Sequence, residues 1–243
     1  MPPIDTADIR TVSPLLGSLK PPDLEAFLDR STAIHRERDR TLHTGAEDAA
    51  LLLLYGSGYT RAHTATGTEF IRHICAPGDT LGLARVLARL DGDEDLVAFT
   101  SVSGLRMPGP ALRRLLHERP AIARACLRTL ALDLMRSYEQ ESLLAHTSTA
   151  DRVTLRLVEL AERFGQEGPD GLRITLQLTQ EQLASWARSS RESAAKVLQQ
   201  LRNAEIIITG RRELIVRDLP ALRARAAHPP HDPIITDLTQ AIG

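Results

Sequence analysis

The sequence predicts an α+β fold with three parts: an N-terminal antiparallel β-roll of jelly-roll type, a long dimerisation helix and a C-terminal winged helix-turn-helix. Short apolar runs separated by turn residues fill the first half of the chain. A stretch without internal proline or glycine follows Pro120, and two closely spaced helix starts lie near Thr179 and Ser189. The expected divisions are a β-roll domain at residues 1–119, a helix and hinge at 120–147, a winged helix-turn-helix domain at 148–228 and a tail at 229–243.

The predicted roll lies between residues 32 and 107, where short β-like runs alternate with turns. Gly56-Ser57-Gly58 and Pro77-Gly78-Asp79 have the residue types that tight turns require. Several short strands at this spacing favour a small antiparallel barrel or roll. The expected strands are Ala49–Tyr55, Glu69–Cys75 and residues 96–105.

The helix predicted over residues 120–144 would be about 38 Å long at the usual rise per residue. It has an apolar stripe at spacings of three and four residues. A helix that extends beyond its own domain favours a two-stranded seam with a second copy, although packing within one subunit stays open. The stripe consists of Leu127, Leu130, Leu134 and Tyr138.

The helix-turn-helix is predicted after a polar hinge at residues 146–150 and a helix that ends at Gly165. Thr179 with Gln182 matches a capping box, and Ser189 with Glu192 matches another one ten residues later. Residues 206–209 and Glu213–Val216 would form a two-stranded wing. The two helices would pack through Leu183, Ala187, Ala194, Val197 and Leu198, with the small Ala184 where they approach.

Positive charge is concentrated near the C-terminal end, although the formal net charge is −1. Nine Lys or Arg residues stand against four acids between Trp186 and Arg225. Such a basic face can be merely solvated, and the two helices could be a hairpin without a nucleic-acid role. A helix in the major groove, however, presents its first turns to base edges, where arginine and glutamate can distinguish bases. The residues in these turns are Arg191, Glu192 and Lys196.

Several classes of protein do not fit the sequence. No run approaches the roughly 20 apolar residues that span a bilayer, and the N-terminus lacks a signal-peptide pattern, so a cytoplasmic protein is expected. Cys75 and Cys126 match neither a disulfide framework nor a zinc site, which predicts buried thiols and no metal or cofactor. No H-E-x-x-H, G-x-S-x-G or P-loop spacing occurs, and we predict no catalytic residue.

Two motifs are similar to those of the CRP/FNR family of bacterial regulators. Ser190-Arg191-Glu192-Ser193 with Lys196 resembles the family's S-R-E-T-x-x-[RK] recognition helix. Residues 76–82, with the sequence APGDTLG, resemble the P-G-D-x-x-G turn of its cyclic-nucleotide-binding-type roll. The chain is identified as a member by this resemblance, which covers nearly its whole length. The resemblance implies a homodimer on an inverted repeat of double-stranded DNA, with RNA polymerase as a further candidate partner.

The resemblance also implies which residues contact DNA. Arg191, Glu192 and Lys196 would contact bases, and lysine at 196 offers a point charge in place of the bidentate arginine fork. Arg188 stands where the family's turn often has glycine, so a positive φ is expected there, at a cost on the order of 1 kcal/mol. The residues expected at phosphates or neighbouring bases are Thr179, Gln180, Arg188, Ser190, Ser193 and Arg212.

The sensor region departs from the cyclic-AMP-binding members of the family. Those members have Gly-Glu after the turn and an Arg-Ser pair about ten residues later, whereas this chain has Gly82-Leu83 and then an acidic run, residues 93–95. Nearby carboxylates would repel a cyclic phosphate, so we expect DNA binding that does not need cyclic AMP. Two alternatives stay open: a cyclic-nucleotide-responsive regulator, and a DNA-binding protein whose sensor domain binds nothing. The expected pocket for an unknown small-molecule effector, or for its own packing, consists of Leu81, Gly82, Leu83, Val86 and Leu87.

Two cofactor-binding branches of the family also fit poorly. The iron-sulfur sensors use a cysteine cluster near the N-terminus, and no cysteine precedes Cys75 here. The haem branch has Cys-x-His after its Gly-Asp turn, where this chain has Gly82 and Ala84. His73 and Cys75 alternate on one predicted strand, and we expect them to be packing residues.

Overall fold

The computed structural model of the chain describes residues 6–63, 67, 69–92, 94–210 and 213–226. Its contacts divide the chain into two compact units, Met1–Ser142 and Leu143–Gly243. The tail predicted at residues 229–243 lies outside the described residues, as do Asp93 and Arg212.

Two four-stranded antiparallel sheets form the first unit and confirm the predicted roll. Its strands are β1 (Thr32–Arg36), β2 (Thr41–His43), β3 (Ala49–Tyr55), β4 (Gly58–His63), β5 (Glu69–Cys75), β6 (Thr80–Leu81), β7 (Asp95–Ala98) and β8 (Val102–Pro108). One sheet has the order β1-β8-β3-β6 and the other the order β2-β7-β4-β5.

The strands predicted at Ala49–Tyr55 and Glu69–Cys75 are confirmed at both ends. The single strand predicted over residues 96–105 is wrong, because β7 and β8 belong to different sheets. The chain turns between them where the Ser57 carbonyl accepts hydrogen bonds from the N–H groups of Phe99 and Thr100, at 2.8 and 3.2 Å. Residues 96–99 are apolar, and the polar pair Thr100-Ser101 that follows them lies where the chain leaves the sheet that contains β7.

Strand β3 is buried on both faces, which explains its unbroken apolar run. Leu51 and Leu53 pack in the core between the two sheets. Leu52 and Leu54 face a second core that the helices of this unit cover. These helices are α1 (Thr6–Val12), α2 (Pro14–Gly17), α3 (Pro21–Asp29), α4 (Leu83–Ala88), α5 (Gly109–Glu118) and α6 (Pro120–His146).

Helix α6 begins at Pro120 as predicted, and its sides differ in burial. Ile122 and Cys126 lie in the helix-covered core, where burial raises the pKa of the Cys126 thiol to about 11. Leu130 packs partly against the same core. Packing within the subunit therefore accounts for one side of the helix and leaves an apolar stripe uncovered. That exposed stripe consists of Leu127 (63% exposed), Leu134 (51%), Met135 (41%) and Tyr138 (62%).

The second unit is a winged helix-turn-helix. Its elements are α7 (Thr149–Phe164), β9 (Gly165–Gly168), β10 (Gly171–Ile174), α8 (Gln180–Trp186), α9 (Arg191–Asn203), β11 (Ile207–Gly210), β12 (Glu213–Val216) and α10 (Leu219–Arg225). Helix α7 ends at Gly165 as predicted. The predicted pairing of the two wing strands is confirmed, since β11 pairs with β12. The wing is not limited to two strands, because β12 also pairs with β10 and the four strands form one sheet in the order β11-β12-β10-β9.

The described residues supply two further facts. None of their helices has the length and apolarity that crossing a bilayer requires. They also contain no group of three or more His, Cys, Asp or Glu side chains arranged to hold a metal ion.

Candidate DNA-binding site

The first helix of the motif, α8, begins at the predicted capping box. Thr179 Oγ1 accepts a hydrogen bond from the Gln182 N–H at 3.1 Å, and Gln182 Oε1 accepts one from the Thr179 N–H at 2.9 Å. Two N–H groups that the helix itself cannot satisfy therefore have partners.

The second helix, α9, begins one residue later than the sequence predicts. Its N-cap is Ser190, whose Oγ accepts a hydrogen bond from the Ser193 N–H at 3.1 Å and donates one to Ser193 Oγ at 2.9 Å. The capping box predicted from Ser189 and Glu192 is therefore wrong. Both serines are good caps, and only the three-dimensional turn selects between them. As a result, the Glu192 carboxylate is not used for capping.

The turn between α8 and α9 has the backbone that the family resemblance implies. Arg188 has a φ of 49°, in the left-handed region that costs a non-glycine residue on the order of 1 kcal/mol. The Ser189 N–H donates to the Ala184 carbonyl at 2.9 Å, and the Arg188 N–H donates to the Ser185 carbonyl at 3.1 Å. This pair of bonds is a Schellman motif, which ends α8 and redirects the chain.

The inner faces of α8 and α9 fix which side chains point outward. All the apolar residues that the sequence assigns to this crossing are buried, and Ala184 is small at the approach as predicted. Trp186, which the sequence analysis did not single out, is 2% exposed, and the Arg156 guanidinium carbon lies 4.6 Å from its ring centroid. The buried crossing residues are Leu183, Ala187, Ala194, Val197 and Leu198.

The outward face of α9 presents three charged residues near its N-terminus. Arg191, Glu192 and Lys196 are exposed, and within the described part of the chain their side chains have no hydrogen-bond or ion-pair partner. The helix dipole adds partial positive charge at this end. Thr179, Gln180 and Arg188 are also exposed, at the start of α8 and in the turn. The structure therefore brings the predicted DNA contacts into one motif, apart from Arg212, which lies outside the described residues.

The residues of the predicted effector pocket are mostly packed. Leu83 and Val86 are buried in the helix-covered core, and Leu87 packs partly against it. Leu81 packs partly against the core between the sheets. Gly82 precedes α4 with a φ of 72°, and a Cβ there would lie 2.5 Å from the Ala49 carbonyl oxygen. The internal space beside Leu83 is only about 10 Å³, enough for at most one water.

The acidic run near the roll turn is largely paired. Asp95 lies 3.3 Å from the Arg61 guanidinium, and Glu94 lies 3.6 Å from that of Arg72. The expected repulsion of an anion is therefore weaker than the sequence suggests, because two of the three carboxylates have cationic partners.

A buried histidine and a wider cleft lie on other parts of the roll. Burial lowers the pKa of His43, whose Nδ1 is 3.7 Å from Glu47. A cleft of about 540 Å³ opens beside α4 and α5, and Val86 is its only lining residue from the predicted pocket. Ion pairs already cross its walls, such as Arg113 with Asp48 at 2.7 Å.

The capped, outward-facing α9 beside a wing defines a DNA-binding transcription regulator of the winged-helix class. Comparison with known proteins agrees. Residues 151–225 match the model of the Crp-like helix-turn-helix domain. The chain is 27% identical to a CRP-like cAMP-activated global transcriptional regulator from Mycobacterium tuberculosis, over 87% of this chain and 96% of the relative. It is 29% identical to a global nitrogen regulator from Synechocystis, over 85% of this chain and 90% of that protein.

A solved structure supports the fold. A CRP/FNR-family transcriptional regulator from Thermus thermophilus superposes with a TM-score of 0.69 at 20% identity, covering 82% of this chain and all of the other. The chain is therefore a transcription regulator with a Crp-like helix-turn-helix domain, and it is similar to CRP-like regulators over most of its length.

Replacing each candidate cap in turn tests the start of α9. Ser190→Ala should lower the free energy of unfolding by about 1 kcal/mol, because the Ser193 N–H loses its acceptor. Ser189→Ala is the matched control and should change it by no more than about 0.5 kcal/mol. Unfolding can be followed by the fluorescence of Trp186, the only tryptophan in the chain. A larger loss for Ser189→Ala than for Ser190→Ala would contradict the assignment.

Proposed function

We propose that the chain is a homodimeric, sequence-specific regulator that inserts α9 of each subunit into successive major grooves of an inverted-repeat operator, without needing cyclic AMP. The observation that carries this proposal is that Arg191, Glu192 and Lys196, on the first turns of α9, are exposed and have no hydrogen-bond or ion-pair partner among the described residues. Charged side chains that have no ion-pair or hydrogen-bond partner among the described residues are available to bind groups of another molecule.

The chemistry of these residues matches base edges in the major groove. Arginine can donate to both acceptors of guanine, and glutamate can accept from the cytosine amino group. Lys196 adds a point charge one turn further along, with looser discrimination. Each bidentate contact is worth about 1 to 3 kcal/mol of discrimination against the wrong base.

The surrounding polar groups would hold α9 against the DNA backbone. Ser193 Oγ accepts the Ser190 proton, so its own proton is available to a phosphate oxygen. Thr179 and Gln180 lie at the N-terminus of α8, where the partial positive charge of the helix dipole also favours a phosphate. The proposed contacts to the backbone or to neighbouring bases are Thr179, Gln180, Arg188, Ser190, Ser193 and Arg212.

The exposed stripe of α6 supports a homodimer. Leu127, Leu134 and Tyr138 are each more than half exposed, and a second copy of the helix would remove them from water. Leu130, which the sequence places in the stripe, already packs on its own subunit and would lie at the edge of the seam. A pair of subunits would set two recognition helices about 34 Å apart, one turn of DNA.

Independence from cyclic AMP rests on the packing of the roll. Leu83 stands where the cyclic-AMP-binding members have glutamate, and it is buried in the core. The space of about 10 Å³ beside Leu83 cannot hold a nucleotide. The cleft of about 540 Å³ beside α4 is large enough, but an ion pair between Arg113 and Asp48 at 2.7 Å already uses groups of its wall. The alternative, a cyclic-nucleotide-responsive regulator, is favoured by the relative described as cAMP-activated.

Base readout is tested by Arg191→Ala. The cognate site is first identified by selection from random duplexes. The free energy of binding to this site should become less favourable by about 1 to 3 kcal/mol, while binding to non-specific DNA changes little. Arg225→Ala removes the same charge from α10 and serves as the control, since it should affect both DNAs alike. If Arg191→Ala keeps its full preference for the operator, the base contact does not exist.

Dimerisation is tested by the double variant Leu127→Glu, Leu134→Glu. Two acids on each helix would place four carboxylates in the seam, so monomers with lost operator affinity are expected in sedimentation velocity. Arg136→Glu adds an acid on another side of the same helix and should leave the dimer intact. An unchanged dimer in the double variant would place the interface elsewhere.

The effector proposal is tested by calorimetry with cyclic AMP and by operator binding in its presence. We expect no micromolar binding and an unchanged operator affinity, because a phosphate without its arginine loses a charge-assisted pair. Each loss of 1.4 kcal/mol weakens binding about tenfold. Micromolar binding together with tighter operator binding would establish the cyclic-nucleotide-responsive alternative.

A further inference from the structure

The side chain of Arg152, on the first turn of α7, donates hydrogen bonds from all three guanidinium nitrogens. Nε donates to the Ala187 carbonyl at 3.1 Å, and Nη1 donates to the Thr147 carbonyl at 3.0 Å. Nη2 donates to the Arg188 carbonyl and to Thr149 Oγ1, both at 3.2 Å. One side chain therefore contacts both the residue after α6 and the turn of the helix-turn-helix.

The acceptors in the turn are those that most need a partner. The Ala187 and Arg188 carbonyls lie just beyond the last turn of α8, where carbonyls lack helical donors and carry partial negative charge. They also flank the strained φ of Arg188. A planar guanidinium can hold two neighbouring carbonyls at once, which a lysine ammonium does less well.

The third acceptor lies in the connecting segment. Thr147 directly follows α6, and Ser148 caps α7 through a capping box with Asp151. Arg152 is thus hydrogen-bonded both to the Thr147 carbonyl, just before the α7 cap, and to the Ala187 and Arg188 carbonyls, just before α9. The other α7 arginines have acidic partners instead, since Arg156 and Arg163 both pair with Glu159.

We propose that Arg152 is a positioning residue that couples the segment at Thr147 to the turn before α9. A change in the backbone at residue 147 would then alter the support of the strained turn, and with it the placement of the recognition helix. This inference rests on the proposed function for its biological role. The coupling itself can be tested without DNA, so its failure is distinguishable from failure of the proposed function.

The first test compares Arg152→Lys with wild type by hydrogen exchange and by acrylamide quenching of Trp186. Exchange should accelerate roughly tenfold in two segments together, residues 147–152 and 184–191. Quenching of the buried Trp186 should increase while the far-UV circular dichroism stays the same. Arg163→Lys on the same helix is the control and should change neither segment. Acceleration in the turn alone, or in neither segment, would overturn the coupling.

The second test uses the strain at Arg188. In an Arg188→Gly background the turn adopts positive φ freely, so Arg152→Lys should accelerate exchange of residues 184–191 several-fold less than in wild type. Glu205→Gly is the matched control, because Glu205 also has a positive φ, 56°, at the end of α9 but does not contact Arg152. Equal effects of Arg152→Lys in all three backgrounds would show that Arg152 only stabilises the domain.

The effect of the same variant on DNA binding is measured separately from hydrogen exchange. With full-length protein, Arg152→Lys should weaken operator binding roughly tenfold and leave non-specific binding nearly unchanged. Loss of both kinds of binding to the same extent would contradict a positioning role.

Discussion

The crossing of α8 and α9 is the interaction on which the rest of the DNA-binding unit depends. Ala194, Val197 and Leu198 bury one side of α9, and an α-helix then has only one way to direct its remaining side chains. The charged residues on its first turns are exposed because the buried side is fixed. A short turn must bring the two helices together, and the backbone at Arg188 meets that demand at the cost of a left-handed φ.

The strain at Arg188 explains why so many polar contacts converge on the turn. The Schellman bonds end α8, Ser190 caps α9, and Arg152 supports the carbonyls on both sides of the strained residue. Glycine would remove the strain but also the side chain that we place near the DNA backbone. A strained residue that is held by its neighbours is a common feature of functional sites.

Much of this arrangement follows from sequence because the controlling signals are local. The Thr179 capping box and the apolar residues of the crossing depend on neighbours within one or two turns. The positive φ of Arg188 is expected from the family resemblance and not from a local signal. The strands β3 and β5 are likewise bounded by turn residues. Sequence reasoning failed where distant partners decide. Hydrogen bonds to the Ser57 carbonyl turn the chain between β7 and β8, and the pairing of β10 with β12 makes the wing part of a four-stranded sheet.

Two further features could not be predicted because they depend on the three-dimensional path of the chain. The choice of Ser190 over Ser189 as cap depends on the path of the chain after the Schellman motif, not on residue type. Arg152 lies 35 residues from Ala187 in sequence, and its acceptors are backbone carbonyls that every residue has, so no spacing marks it.

One side of α6 serves the folding of its own subunit, and the other side is the surface that the proposed homodimer would use. Its first turns contribute Ile122 and Cys126 to the roll's own core, so the helix is fixed to its subunit before any partner binds. Further along, Leu127, Leu134 and Tyr138 stay exposed, although burying apolar surface is favourable by about 25 cal/mol per Å². The residue that follows this helix is Thr147, whose carbonyl binds Arg152. A helix anchored in the roll thus leads, one residue beyond its end, to the hydrogen bonds by which Arg152 supports the turn before α9.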